Sequence, residues 1–299
     1  MNKIIFLGTS AGVPTKFRNV SALALQPLNS KEWFLFDCGE GTQHQILKSH
    51  LSPYNLSKIF ITHLHGDHIY GLPGLLASRG MQQSKTELEI YGPAGIKEFI
   101  ETVLKLSRLN LPFDLKINEI SKDMSIDFKQ LSIDTVELSH SLTSYGFVVT
   151  FKDRKAKSMG IPEGPIYAKL KNLETVTLED GRVIDGKEFI GEPIKGKRIA
   201  IGGDNDNPLL FLKYAPFDLM IHEATYTQKD FDSLPRKFQH TTAKQLATAA
   251  QEMGVKRLIL NHISLRYDKD NRVSELLEEV KSYFTAKVEV AYDFMQVDF

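Results

Sequence analysis

Three histidines and an aspartate lie within six consecutive residues, directly after a run that reads as a β-strand. They are His63, His65, Asp67 and His68, and the apolar, β-branched run before them covers residues 59–62. His63 and His65 are two residues apart, so in an extended chain their side chains project to the same side. Gly66 permits a tight turn that brings the aspartate and the last histidine round to the same point. The chain must therefore fold so that a strand end, a turn and a helix start surround one small volume.

The residue types in this cluster indicate a metal site. Burying three imidazoles and a carboxylate together carries a heavy desolvation cost unless a metal or a dense set of hydrogen bonds compensates. Neutral imidazole and carboxylate together suit zinc, manganese or iron, whereas calcium would call for more oxygen ligands. A single histidine is more commonly an ordinary polar or surface residue, so the prediction rests on the whole segment of strand, turn and helix.

Three further candidate ligands occupy comparable positions, each at the end of an apolar run. They are His140, Asp204 and His262. If these runs are strands, their ends can lie on one rim of a pair of packed sheets. Seven ligands are most simply explained by two metal ions about 3.5 to 4 Å apart, bridged by one carboxylate and one hydroxide. Asp204 is equally explained as a turn residue among glycines and asparagines, and Asp206 is a rival for the bridge.

Short β-branched or aromatic runs recur along the chain and read as strands. The predicted strands cover residues 3–7, 21–26, 33–36, 58–62, 88–91, 131–138, 145–151, 198–201, 219–221, 257–260 and 287–291. Stretches with helical spacing lie between several of them, at residues 41–51, 71–79, 94–106, 242–253 and 273–284. Two sheets packed together with helices outside satisfy this α/β pattern.

Residues 152–197 depart from this alternation, because they are rich in glycine, proline and charge, which suits a protruding arm better than a core layer. Gly160, Pro162, Gly164 and Pro165 lie close together within it. A basic patch surrounds them, made of Lys152, Arg154, Lys155, Lys157, Lys169 and Lys171. The 37 Lys and Arg residues balance the 37 Asp and Glu residues, so nucleic-acid binding would have to come from such a local patch. A charge run of this kind is also typical of a solvated face.

The sequence also predicts a compartment. Cys38 is the only cysteine, which excludes an internal disulfide or a thiolate metal cluster and favours a reducing environment. The apolar run at the amino terminus is too short for a secretory signal. No segment reaches the roughly 20 apolar residues of a membrane-spanning helix. We therefore expect a soluble, cytoplasmic protein with no membrane partner.

The chain resembles the short form of the ribonuclease Z family, tRNA 3′-processing endonucleases of the metallo-β-lactamase superfamily. The resemblance runs over nearly the whole chain, in residues 6–19, 37–43, 62–68, 160–165, 222–225, 240–242 and 261–264. The histidine and aspartate segment by itself indicates only the superfamily, whose members hydrolyse many unrelated esters and amides. Residues 14–19 and the Gly-Pro arm are narrower markers, and they carry the functional expectation.

The resemblance implies a metallo-β-lactamase fold, an αββα four-layer sandwich formed by one domain of residues 1–299, with residues 152–197 as an inserted flexible arm. It implies a zinc-dependent endoribonuclease that removes the 3′ trailer from precursor tRNA and leaves a 3′-hydroxyl on the tRNA, acting as a homodimer. The alternatives are a small-molecule phosphodiesterase or other ester hydrolase of the same fold, and a metal-stabilised binding scaffold. The basic arm argues against a small substrate, and His240 argues against a scaffold.

For the metal site, the resemblance implies two zinc ions per subunit. His63, His65 and His140 would hold one ion, Asp67, His68 and His262 would hold the other, and Asp204 would bridge them. Asp67 would also accept a proton during attack on the phosphodiester, and His240 would protonate the leaving 3′ oxygen. The start of a helix at Thr241 and Thr242 is an alternative explanation of the His240 segment. Glu223 is a candidate for orienting His240 and is counted with the substrate-binding residues; a surface carboxylate is the alternative.

The resemblance also assigns residues to the RNA. Lys16, Arg18 and Asn19 match a loop that meets the tRNA 3′ end and disfavours tails already ending in CCA, although a solvated turn is the simpler alternative. Gly160, Pro162, Gly164 and Pro165 belong to the arm that grips the tRNA elbow, which would allow recognition of shape with little use of sequence. Asp37 would orient a ligand histidine, and Cys38 would be buried structure.

Overall fold

The computed structural model describes residues 1–157, 164–178, 180–269 and 272–299. Within them the strands are β1 (Lys3–Gly8), β2 (Ala22–Gln26), β3 (Trp33–Phe36), β4 (Leu56–Phe60), β5 (Leu88–Gly92), β6 (Leu115–Glu119), β7 (Ser125–Asp127), β8 (Leu131–Leu138), β9 (Ser144–Phe151), β10 (Arg154–Lys157), β11 (Val176–Thr177), β12 (Val183–Ile184), β13 (Ile190–Ile194), β14 (Arg198–Ile201), β15 (Leu219–Glu223), β16 (Arg257–Asn261), β17 (Lys287–Val290) and β18 (Gln296–Asp298). The helices are α1 (Thr42–Lys48), α2 (Gly66–Ile69), α3 (Leu72–Met81), α4 (Ile96–Ser107), α5 (Pro165–Lys171), α6 (Gly186–Phe189), α7 (Gln228–Asp232), α8 (Ala243–Glu252) and α9 (Val273–Lys281).

Two seven-stranded sheets contain most of these strands. Their orders are β18-β1-β2-β3-β4-β5-β6 and β17-β16-β15-β14-β9-β8-β7. The first sheet is antiparallel from β18 to β3 and parallel from β3 to β6. The second is parallel from β14 through β15 and β16 to β17. Parallel strands end at the same edge of a sheet, which is where α/β proteins place their ligands.

Aromatic residues join the two sheets face to face. Phe36 on β3 and Phe60 on β4 each have their ring centre 5.5 Å from that of Phe147 on β9. All three side chains are buried. On its other face each sheet has a separate apolar core beneath helices: Ile46, Leu75 and Ile100 of α1, α3 and α4 lie in one, and Leu246, Leu276 and Val280 of α8 and α9 lie in the other. The layers therefore run helix, sheet, sheet, helix, which confirms the expected αββα fold.

Helix α8 shows how the sequence fixes an element next to the site. The Thr242 hydroxyl accepts a hydrogen bond from the Gln245 backbone N–H, and the Gln245 side chain accepts one from the Thr242 N–H. This reciprocal cap contributes about 0.5–2 kcal/mol to helix stability. Leu246, Ala249 and Ala250 form the buried face of the helix. The cap ends the preceding loop at a defined residue, so His240 is held just before the helix rather than within it.

A second compact unit comprises Phe128–Ser132 and Thr150–Lys197, and so includes the predicted arm. Within it β10 pairs with β13 and β11 pairs with β12, both antiparallel. Gly164 and Pro165 are exposed, and Pro165 is the first residue of α5. Gly160 and Pro162 lie outside the described residues. In the part of the chain that is described, no helix is long and apolar enough to cross a membrane.

Candidate metal centre

The candidate ligands follow the ends of strands from both sheets. His63, His65, Asp67 and His68 come after β4, His140 after β8, Asp204 after β14 and His262 directly after β16. Two of the residues at these strand ends have left-handed backbone conformations: His262 has φ of 52° and Asp37, which directly follows β3, has φ of 56°. Such angles are uncommon for residues other than glycine, and they concentrate at functional sites. The sharp turn at each strand end directs the side chain back over the rim of its sheet.

One group of ligand atoms consists of three imidazole nitrogens. His65 Nδ1 lies 3.0 Å from His63 Nε2 and 3.3 Å from His140 Nε2. The other ring nitrogens are engaged outward, His63 Nδ1 with the Thr62 hydroxyl at 3.0 Å and His140 Nδ1 with the Gln239 carbonyl at 3.0 Å. Nitrogens bound tetrahedrally at the zinc–nitrogen distance would lie roughly 3.3 Å apart. The spacing of this group therefore fits one ion.

The second group combines a carboxylate with two imidazoles. Asp67 Oδ2 lies 3.4 Å from His68 Nε2 and 3.5 Å from His262 Nε2. These two nitrogens are buried and, among the described residues, have no hydrogen-bond partner. Nearly all buried polar atoms in native proteins have one, so a pair of unpartnered nitrogens facing a carboxylate fits a set of metal ligands. The donor set fits a metal ion.

Asp204 lies between the two groups. Its Oδ2 is 3.9 Å from His63 Nε2, whereas its Oδ1 is 3.5 Å from His68 Nε2 and 3.4 Å from His262 Nε2. One carboxylate oxygen thus faces each group. Of the two aspartates considered for this position, Asp204 belongs to the clusters of potential ligands among the described residues and Asp206 does not.

The electrostatics of the pocket favour positive charge. Burial would raise the pKa of Asp67, but the neighbouring His262 and His68 outweigh it and hold that pKa well below its usual range. Burial would likewise lower the pKa of His68, but the carboxylates of Asp37 and Asp204 raise it well above its usual value. Burial and then His68 lower the pKa of His63. Ionised carboxylates and neutral imidazoles are the forms that bind metals, and a site that attracts a proton in this way is one that a cation can occupy.

Asp37 supports the second group from behind. Its Oδ2 lies 2.7 Å from His68 Nδ1, and its Oδ1 accepts the Thr62 backbone N–H at 2.8 Å. A carboxylate bonded to one ring nitrogen fixes the proton there and leaves Nε2 as the ligand atom. This is the position that the sequence predicts for Asp37. Gly39 allows the close approach of the two segments, because a Cβ there would come within 2.3 Å of the Asp67 carbonyl oxygen.

Glu223 performs the corresponding task for His240. It is 2% exposed, so it is not a surface carboxylate, and its hydrogen bonds are to protein groups around His240. Its Oε2 lies 3.0 Å from His240 Nδ1 and accepts the Thr225 hydroxyl at 2.5 Å, and its Oε1 accepts the Asn205 N–H at 2.6 Å. Burial alone would lower the pKa of His240, but the charge of Glu223 outweighs burial and raises it to about 9. Glu223 therefore favours the protonated form of His240.

The loop of residues 12–19 reaches the site through its backbone. The Gly12 N–H donates to Asp67 Oδ2 at 2.9 Å. Arg18 is buried and its guanidinium is turned inward, donating to Asp268 at 2.9 Å and to the Ala291 carbonyl at 2.6 Å. The Asn19 side chain donates to the Glu40 carbonyl at 2.9 Å. Arg18 and Asn19 therefore hold the loop in place, and Lys16 is the exposed side chain of the three.

A cavity of about 400 Å³ lies over both ligand groups. Its wall includes Arg236, Lys237 and Phe238, which are not among the site residues predicted from the sequence. Their signal was present in the sequence: two basic residues and an aromatic one stand two to four positions before His240. The sequence alone does not show that this run lies beside the metal centre, because the tertiary fold places it there.

Solved structures define the class of this fold. The metallo-beta-lactamase fold protein YhfI from Bacillus subtilis aligns with a TM-score of 0.70 at 19% identity, covering 99% of this chain and 98% of that one. The family model described as "Anti-Pycsar protein Apyc1" matches residues 2–159 and places the chain in the family that it describes. The protein thus has the metallo-β-lactamase fold.

Relatives that match over the full length narrow this class. A protein named Ribonuclease Z from Listeria welshimeri is 47% identical, covering 97% of each chain, and one from Bacillus velezensis is 43% identical, covering 99% of this chain and 98% of its own. The crystal structure of human tRNase Z, short form, is 31% identical with a TM-score of 0.70, covering 99% of this chain and 98% of that one. The chain belongs to the ribonuclease Z family.

Proposed function

We infer that the protein is a metal-dependent endoribonuclease that processes the 3′ end of precursor tRNA. Membership of the ribonuclease Z family at 47% identity over 97% of the chain gives the reaction class. The convergence of seven candidate ligands, with two orphaned buried nitrogens among them, carries the assignment of the site. The full-length relatives are named Ribonuclease Z, which favours this reaction over a small-molecule esterase or an inert scaffold.

The metal site holds two zinc ions in this proposal. His63, His65 and His140 bind one and Asp67, His68 and His262 bind the other, because the ligand atoms of each set lie within 4.8 Å of one another. Asp204 would contact both ions, because one of its oxygens faces each ligand group. When bound, such an ion pair activates a water at neutral pH and offsets charge on the attacked phosphate.

Two side chains move protons in the reaction. Asp67 accepts the proton of the attacking water in this proposal, because its carboxylate adjoins the second ligand group and is oriented by the Gly12 N–H at 2.9 Å. His240 donates a proton to the leaving 3′ oxygen, because Glu223 keeps it charged. A general acid of this kind contributes typically about 10² to 10⁴ in rate.

Two parts of the chain bind the RNA in this proposal. One lies close to the reacting atoms, and the other is the arm of residues 152–197. Lys16 is exposed on the loop that contacts Asp67 through its backbone, so it can reach the RNA 3′ end. Residues 152–197, with Gly160, Pro162, Gly164 and Pro165, form the exosite for the tRNA elbow. Support comes from their separate compact unit and from the exposed Lys169, Lys195 and Lys197. Lysine contacts to phosphates position RNA without reading its sequence.

The protein acts as a homodimer in this proposal. Leu47 on α1 and Met81 on α3 are 66% and 79% exposed, and the two helices are linked by the hydrogen bond from Ser78 to Gln43 at 2.8 Å. Contiguous exposed apolar surface marks protein–protein interfaces, and the proposal places both side chains in such an interface. Sedimentation equilibrium of the wild-type protein and of Leu47→Glu is expected to give a dimer and a monomer, respectively; a monomeric wild type would contradict this part.

Cleavage of a precursor tRNA with mapped ends, together with metal analysis of the same sample, tests the function. We expect one cut at the 3′ end of the tRNA, a 3′-hydroxyl on it, and two zinc ions per chain. An intact precursor with a fully loaded enzyme would overturn the function. Cleavage with one ion per chain would overturn the two-metal assignment alone.

A further inference from the structure

One wall of the cavity over the metal centre consists of residues that have no role in the proposed proton transfers or in metal binding. Arg236, Lys237 and Phe238 line this cavity beside His140 and His240. All three side chains are exposed, and Phe238 keeps 48% of its surface open to solvent. A single exposed aromatic ring is ordinary on a protein surface, so its meaning depends on the groups around it.

The two basic side chains of this wall have no acidic partner among the described residues. Lys237 Nζ donates to the Phe231 carbonyl and lies 4.9 Å from the centre of the Phe231 ring. The Arg236 guanidinium lies 5.7 Å from the centre of the Phe238 ring. Their contacts are thus to a carbonyl and to aromatic rings, and neither charge is neutralised. The wall presents positive charge and an open ring to the same cavity.

The backbone ties this wall to the reacting centre. The Gln239 carbonyl lies 3.0 Å from His140 Nδ1, so the residue after Phe238 contacts a candidate metal ligand directly. The His240 N–H donates to the Phe238 carbonyl at 2.9 Å, which closes the chain tightly between the ring and the proton donor. A group resting on Phe238 is therefore placed on the side of the scissile bond where His240 acts.

We propose that Phe238, Arg236 and Lys237 form a subsite for the last nucleotide of the tRNA, the one whose 3′ oxygen leaves. Its base stacks on the Phe238 ring, and the backbone phosphate on its 5′ side accepts hydrogen bonds from Arg236 and Lys237. Stacking on aromatic rings and cationic contacts to the backbone are how proteins hold single-stranded RNA with little dependence on sequence. This subsite rests on the proposed function and adds to it the nucleotide that the cavity wall recognises.

The test of stacking compares Phe238→Ala with the wild-type enzyme on two precursor tRNAs, one normal and one lacking only the base of that last nucleotide. On the normal substrate kcat/KM is expected to fall about 5- to 150-fold, the range that one base–aromatic stack spans. On the abasic substrate the two enzymes are expected to agree within about twofold, because the interaction is already missing. Phe238→Tyr keeps a ring of the same shape and is expected to retain wild-type activity on both.

The test of charge uses Arg236→Ala and Lys237→Ala. Each is expected to reduce the slope of log kcat/KM against log salt by about 0.7, the value for one phosphate contact with a single strand. Tyr283→Ala is the matched control. Its ring is 43% exposed and lies 5.3 Å from Lys244 Nζ, a similar pair of cation and ring that does not line the cavity. It is expected to leave rate and salt slope unchanged.

Several outcomes would overturn the subsite. Equal activity of Phe238→Ala and the wild-type enzyme on the normal substrate would show that no base stacks on Phe238. The same loss on the abasic substrate would show that the ring acts on something other than this base. A third precursor lacks only the base of the first trailer nucleotide. If Phe238→Ala lost activity on the other two substrates but matched the wild-type enzyme on this one, the ring would bind the trailer and not the tRNA. A wild-type enzyme that left both substrates intact would refute the proposed function itself, which separates the two failures.

Discussion

Replacing Glu223 by Gln tests how the chain holds its proton donor. The change keeps the size of a buried side chain but removes the charge that faces His240 Nδ1 at 3.0 Å. Two other donors, the Thr225 hydroxyl and the Asn205 N–H, also point at this carboxylate. A glutamine has one acceptor oxygen and must turn its NH₂ group toward at least one of these three donors. The imidazolium of His240 then loses a charged partner.

The size of the effect follows from that lost contact. A hydrogen bond to a charged group contributes about 1.5–3 kcal/mol, so kcat for precursor tRNA is expected to fall about 10- to 150-fold in Glu223→Gln. His240→Ala is expected to fall further, by about 10² to 10⁴, because the proton donor is gone. In the double variant the losses are expected not to add, since both act on one proton transfer.

A nitrophenyl phosphodiester provides the decisive comparison, because its leaving group is stable as an anion and needs no proton. Glu223→Gln and His240→Ala are expected to keep near wild-type rates on it and to retain their metal. Glu289→Gln, which removes the partner of Arg257 at 2.7 Å on the far strand pair β16–β17, is the matched control. Equal losses on both substrates, or loss of metal in Glu223→Gln, would refute the reasoning.

Three further predictions address other parts of the account. His65→Ala is expected to abolish cleavage and to lower bound metal, measured by elemental analysis, whereas the exposed His50→Ala keeps both; a fully loaded His65→Ala would contradict the ligand assignment. Deletion of residues 152–197 is expected to raise KM for precursor tRNA while sparing the nitrophenyl ester, measured by steady-state kinetics; equal loss on both would refute the exosite. Cys38 is fully buried, and burial raises the pKa of its thiol far above the usual value. It is therefore expected to resist thiol reagents until the protein unfolds. Rapid labelling of the folded protein would show that this region opens.

Much of the fold could be predicted from the sequence because its central strands are strongly patterned. The run 33–36 matches β3, and 131–138 matches β8 residue for residue. Strands at or near the sheet edges were missed, among them β6 and β18. Their residues are mostly half-exposed or exposed, so charged and apolar side chains mix there and no clear periodicity appears.

Some residues of the site could likewise be predicted from the sequence, and others could not. The ligands could be predicted because metal chemistry restricts residue types, and the strand ends restrict their positions. The inward direction of Arg18 could not, since its partner Asp268 is 250 residues away and only the tertiary fold brings them together. The same reason hid the burial of Glu223 and the place of Phe238. Long-range contacts, rather than local pattern, decide whether a charged residue faces solvent or the interior.

Side chains from both sheets enclose a pair of cations if the proposed site is correct. Anomalous scattering at the zinc edge from crystals of the purified protein locates such cations. Two peaks are expected, one among His63, His65 and His140 and the other among Asp67, His68 and His262, with Asp204 adjoining both. A single peak, or peaks elsewhere in a well-ordered crystal of active enzyme, would contradict the proposed site.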